Sequence, residues 1–372
     1  MPSVLHEIDP DGDLIIVLKE PNTQRVIPDV YLPPPKGSEN SDFVLDNACV
    51  THDETSGLPS KQYQDDESPV EIRYRVSSRH LMLASVNFKK MLSGPWKEAS
   101  PGDQEPSSSE IPRSPCIREV STTGWHADAL LTVFNTIHGR SSGVPSGASV
   151  KYITEVAVIA NYYQCAEALS LVVQLWMERS YRLKCLQKSG LPYGRELIMW
   201  FFIASLFAQR PPPSDSRRLF PFNATGWSLL CEASRNVTHE GHGLSYIETY
   251  DLPISEILAP LEKKRLNGLR SLTSALSDMK GKVKRNELGC DNHRCKAMVM
   301  GSLELNLEEH PELTVEDGNY DGLSIKDVIN AVQDEFGPSE DEMHDGMHLC
   351  TPKSLMKDTI KDVQRDIGFR IW

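Results

Sequence analysis

Cys290, His293 and Cys295 lie close together in the segment CDNHRC, and their side chains are the donor types of a structural zinc site. Thiolate sulfur and imidazole nitrogen suit Zn2+, but a closed site needs a second pair of ligands. That pair would have to come from Cys231, His239 or His242, which also cluster in sequence. The competing reading is two buried thiols at the end of a helical hairpin, and it is the one adopted: no metal and no cofactor are expected. Covalent chemistry finds no matching pattern. There is no G-x-S-x-G elbow and no phosphate loop, and GVPSGASVK at Gly143 lacks the spacing for one. His80 stands at a helix start and is expected to make a structural hydrogen bond. His126, beside Trp125, is expected to cap or line the helix that follows. The chain is therefore expected not to be an enzyme.

Charge narrows the partners. The net charge of −13 argues against nucleic acid as the default ligand. From Glu304 to Asp345 there are fourteen acidic residues against Lys326 alone. From Lys263 to Lys296 there are ten Lys or Arg against Asp278, Glu287 and Asp291. The two segments can neutralise each other within the chain. The alternative function is a metal-stabilised or nucleic-acid-binding regulator that uses the basic 263–296 segment together with CDNHRC. The eight cysteines are scattered, and MPSVLHEIDPDGD has neither a cationic nor an apolar leader region. Reduced thiols and an intracellular location, cytoplasm and/or nucleus, are expected.

A chain of 372 residues can bury more than one core. DLIIVLK from Asp13 reads as a strand, and RVIPDVYL from Arg25 reads as an edge strand able to pair back with it. Residues 33–69 are rich in Pro, Ser, Asp and Gly and read as an inserted loop, as do residues 97–115. EIRYRVSS alternates as a half-buried strand, and RHLMLASVNFKKML has the period of one helix ended by Gly94-Pro95. IREVST is strand-like, and helices are expected over Ala127–His138, Val150–Tyr163 and Ala166–Tyr181. Further helices are expected over Tyr193–Gln209, Ser228–Val237, Ser255–Glu287, Ser324–Phe336 and Ser354–Ile367. The apolar run LIMWFFIASLFA at Leu197 is too short to cross a bilayer and suits a buried helix.

The order Val76, His80, Leu81 with Leu83, Ala84, Ser85, Phe88 and Met91-Leu92 resembles the central helical hairpin of BTB/POZ domains. The likeness is closest to BTB-domain proteins of filamentous fungi. It extends through GDLIIVL, IHGR at Ile137, NYYQCAEA at Asn161, LPYGRELIMW at Leu191, GCDNHRCKAMVMGSLE at Gly289 and CTPKSLMKDTI at Cys350. The resemblance implies an α+β fold, a small three-stranded sheet capped by helices, over residues 11–181. A helical extension over 191–302 and an acidic segment with terminal helices over 303–372 follow. It implies a protein–protein adaptor or scaffold, recruiting a cullin-type ubiquitin ligase or acting in transcriptional regulation. In cullin-recruiting members a hydrophobic-x-acidic triplet follows this helix. Trp96 and Glu98, with Met91 and Leu92, are thereby the implied partner-binding residues. Strongly dimerising members carry an extra N-terminal helix, for which the residues ahead of DLIIVLK leave little room. No finger, kelch repeat or MATH-like segment accompanies the domain, so the expected partner is protein, with no nucleic acid and no membrane.

Overall fold

In the computed structural model the described residues are 3–33, 44–45, 71–94, 117–186, 191–208, 221–287, 293–314, 319–336 and 351–368. They form a mixed α+β structure. One sheet is built from β1 (Ser3–Glu7), β2 (Leu14–Lys19), β5 (Glu71–Val76) and β6 (Arg118–Thr123), in the order β1-β5-β2-β6. β2 and β5 are antiparallel, with Leu14 opposite Val76. β6 runs parallel to β2, and β1 parallel to β5. The alternation read in EIRYRV is real: Ile72, Tyr74 and Val76 point inward. Gly12 is required at the start of β2, because a Cβ there would stand 2.6 Å from the carbonyl oxygen of Val76.

Two expectations about strands change. The sheet has four strands, not three, because Ser3–Glu7 adds an edge strand ahead of the expected domain start at residue 11. RVIPDVYL does not pair back with β2. Its C-terminal half, β3 (Asp29–Leu32), pairs with β4 (Val44–Leu45) and β7 (Ile247–Glu248) in a second sheet. The segment 33–69 thus holds a short strand; the rest of that expected loop after Pro33, and all of 97–115, lie outside the described residues.

The run expected as one helix is two, α1 (Ser78–Ala84) and α2 (Val86–Ser93). Ser85 between them is extended, with φ −138° and ψ 123°. α3 (Ala127–Ile137), α4 (Val150–Tyr163) and α5 (Ala166–Leu186) follow, with Gln164 left-handed at the break, φ 52°. α6 (Arg195–Phe207) and α7 (Pro221–Glu240) come next. α8 (Ser255–Lys284), α9 (His293–Glu309), α10 (Ile325–Asn330) and α11 (Pro352–Asp366) complete the chain.

A single apolar cluster runs from Ile8 through the sheet and α1–α7 to Leu261 in α8. α6 explains this: it is apolar on nearly every face, from Leu197 to Phe207, so it must be surrounded. A second cluster begins at Leu269 in the same helix and gathers α10 and α11. α8 therefore serves both cores, and the change-over falls inside it. Among the described residues no helix is long and apolar enough to cross a membrane.

Candidate protein-binding face

The corner between α1 and α2 is fixed by side chains that could have served elsewhere. The Ser85 hydroxyl accepts from the Phe88 N–H at 2.9 Å, capping α2, and donates to the Tyr163 carbonyl at 2.5 Å. The Asn87 amide donates to the Tyr162 carbonyl at 2.6 Å. Both acceptors sit at the C-terminal end of α4, where the last carbonyls of a helix lack intrahelical partners. The corner is thus tied to α4 by two bonds and cannot swing freely. Trp125 and Tyr163 back the Tyr162 ring at centroid distances of 5.1 and 4.9 Å. On this frame Leu83 is 89% exposed, Tyr162 59% and Val86 52%. Exposed Lys89 and Lys90 lie on the same face of α2 as Val86.

The start of α1 is held from two directions. The Asp13 carboxylate accepts from the Ser78 N–H at 2.8 Å and from its hydroxyl at 2.7 Å. The Ser77 N–H donates to Nε2 of His138 at 2.9 Å, and the other ring nitrogen of His138 lies 2.8 Å from the Phe134 carbonyl. His138 is the hydrogen-bonding histidine of this helix start, not His80. The His80 side chain is exposed and lies against the His138 ring at 4.9 Å.

The residues expected to bind a partner divide three ways. Leu92 is buried in the first core and is no contact residue. The helix phase dictates this, because Phe88 and Leu92 are four apart and share the inward stripe. Met91 is half-buried against the same core. Trp96 and Glu98 lie outside the described residues. The zinc alternative also divides. Cys290 lies outside the described residues, His293 is exposed, and Cys295 is buried with Val283 and Val299. Among the described residues no three His, Cys, Asp or Glu side chains gather as a metal site.

Sequence reasoning missed Glu155. It projects from α4 into a cavity of about 50 Å3 walled by Asn22, Gln24, Val26, Trp125 and His126. Its carboxylate lies 3.3 Å from Nδ1 of His126. His126 caps α3 as expected, its Nδ1 facing the Ala129 N–H at 3.4 Å. Burial, and then the negative charge of Asp128, push the Glu155 carboxyl up to about 7, against Lys151. Burial holds the His126 imidazole below its ordinary value, against Asp128. Burial thus disfavours the charged form of both groups, while Nδ1 of His126 turns its lone pair toward the Ala129 N–H. Among the described residues, no serine, cysteine or lysine lines this cavity. A cleft of about 910 Å3 between α7, α8 and α11 is walled by Trp227, Leu230, Val363 and Ile367, with Lys264, Asp362 and Asp366 as its charges.

The Glu155 geometry has a consequence for pH. A carboxyl raised in the fold contributes most below its unfolded value of 4.5 and loses that contribution as pH rises through about 7. The loss is on the order of 3 kcal/mol. His126 acts with the opposite sign, and its contribution fades as pH falls below 6.5. Glu155→Gln keeps the shape of the side chain and removes its charge. Denaturant titrations at pH 5, 6.5 and 8 should show the parent losing stability toward pH 8 and the variant holding it. Equal slopes for the two proteins would exclude a raised Glu155.

Comparison with known protein families, with curated proteins and with solved structures gives no match for this chain.

Proposed function

We propose that the N-terminal unit is a BTB/POZ-type interaction module and that the chain is a protein–protein adaptor or scaffold, not an enzyme. Its partner in this reading is a cullin-type ubiquitin-ligase scaffold or a transcriptional regulator inside the cell. Support comes from the order β5-β2-β6 with an antiparallel pair and one parallel strand, followed by α3, α4 and α5. The observation that carries the binding role is Leu83: a nearly bare leucine on a corner tied down by Ser85 and Asn87. A large apolar side chain on a rigid frame loses little entropy on binding and can act as an anchor. Trp96 and Glu98, just past α2, would extend that contact.

The basic segment is less available to an anion than its composition implies. Arg265 is buried against Glu262, Lys280 pairs with Glu304 across to α9, and Arg285 pairs with Glu287. This favours the adaptor over the nucleic-acid or metal-dependent regulator.

The test is titration of the full chain against a purified cullin N-terminal fragment, with capture from cell extract as the wider screen. Leu83→Asp and Val86→Asp should each lower affinity at least about tenfold, roughly 1.4 kcal/mol. Their melting temperatures should stay near the parent's, because both side chains are exposed. Trp96→Ala should cost about 1–2 kcal/mol of binding and Glu98→Ala less. Binding indifferent to Leu83 and Val86 would remove this face from the function.

A further inference from the structure

α5 packs against α3, α4, α6 and α7. Its inward side carries Leu169, Val173, Trp176 and Met177. The outward side carries a row of four exposed residues at four-residue spacing: Glu167, Leu171, Leu175 and Arg179. Leu171 is 62% exposed and Leu175 46%, although both sit mid-helix, where an apolar pair is costly to leave in water. Neither Glu167 nor Arg179 forms an ion pair among the described residues.

The row has a particular symmetry. Leu171 and Leu175 share a midpoint at position 173, and so do Glu167 and Arg179. Turned end over end about that level, the row reads as its own complement. Leucine meets leucine in the middle, and each glutamate meets an arginine at the ends. A parallel arrangement would set like charges side by side. Self-complementarity of this kind is what a two-fold interface demands, because each contact must occur twice with the roles exchanged. Helical geometry allows the approach, since residues four apart form a ridge and two such ridges interlock at a crossing near −50°.

We propose that the outer face of α5 pairs with the same face of a second copy of this chain, the two helices antiparallel about a two-fold axis level with Val173. The occupant is a copy rather than an unrelated protein because the sign pattern Glu-Leu-Leu-Arg needs no other partner to be satisfied. The described row spans about 18 Å. That is short of a standard interface, so the dimer is weak and concentration-dependent, with Kd roughly 10–100 μM.

Sedimentation velocity on the full chain tests this, run from well below to well above that range. The expected result is a reversible monomer–dimer equilibrium. Glu167→Arg alone and Arg179→Glu alone should each weaken the dimer about tenfold or more, and the double swap should restore it to within about threefold. Leu171→Asp should abolish it. Circular dichroism melts matching the parent show that each variant is folded; the charge swaps keep the test alive if Leu171→Asp is not. A chain that stays monomeric throughout, a dimer indifferent to either single swap, or a double swap that fails to restore it would overturn the proposal. Capture of a different protein through α5 by a monomeric chain would do the same.

Discussion

Phe88→Ala is expected to cost about 3–5 kcal/mol, the range for truncating a buried aromatic in a packed core. The ring is fully buried and stacks on Tyr163 at 4.4 Å, nearly parallel, with Phe134 at 6.5 Å. It therefore joins α2 to α3 and α4 at one point. The backbone around it cannot collapse easily into the space left, because Ser85 caps the Phe88 N–H and holds the Tyr163 carbonyl. That stiffness places the loss toward the upper end of the range. Phe88→Leu keeps most of the volume and should cost about 1–2 kcal/mol. Urea titration of both variants checks the pair. A loss under about 1 kcal/mol for Phe88→Ala would mean that the α1–α2 corner is not seated as described.

Where the fold was legible, it was legible through periodicity. Ile72, Tyr74 and Val76 alternate, and β5 is a strand with those residues inward. α4 begins and ends where the pattern from Val150 to Tyr163 puts it, because Ser149 caps one end and the following residues break the other. The misses share a cause: each depends on a distant partner. Nothing local in SVLHE announces β1, which exists by pairing with β5 some seventy residues on. β3 and β7 are only four and two residues long, and they find each other across more than two hundred positions. Ala84-Ser85 is compatible with continuing the helix. What breaks it is the Tyr163 carbonyl waiting for the serine hydroxyl. α9 shows too thin a stripe to be read, since Cys295, Val299 and Leu303 alone are buried.

The candidate face was half legible. Leu83 stood in the motif that suggested the fold, but its near-complete exposure follows from the unforeseen corner. Val86 and Tyr162 carried no signal of their own, because an exposed apolar residue looks in sequence like a core residue. The same ambiguity led Leu92 to be read as a contact when it is core. Glu155 offered one clue, an acid inside the apolar pattern of VKYITEVAVIA, but a surface position in α4 would look identical. Burial on one side and Asp128 on the other are tertiary facts.

Arg265→Ala is expected to cost about 3–5 kcal/mol, because it breaks a buried ion pair from one side. The guanidinium is almost wholly enclosed. Nε and one terminal nitrogen bind the Glu262 carboxylate at 2.9 and 2.7 Å, and the other terminal nitrogen donates to the carbonyls of Tyr320 and Leu323 at 3.0 and 2.5 Å. Gly243, at φ +127°, passes close enough that a Cβ would lie 3.3 Å from the guanidinium. Arg265 stands in α8 between Leu261 of the first core and Leu269 of the second. It is the polar fastener where the apolar cluster changes hands. Alanine leaves Glu262 charged and mostly enclosed, and leaves two carbonyls without donors. Lysine keeps the charge but not the fork, so Arg265→Lys should recover only part of the loss. Removing both charges, as in Arg265→Met with Glu262→Leu, should cost less than Arg265→Ala alone, since no orphaned carboxylate remains. Hydrogen exchange locates the damage. Amides of α10 should exchange faster in Arg265→Ala while those of α4 keep their protection, because only the second core loses its tether. Equal acceleration in both would mean that the two cores unfold as one, and a loss below about 1 kcal/mol would mean that the pair is not a fastener at all.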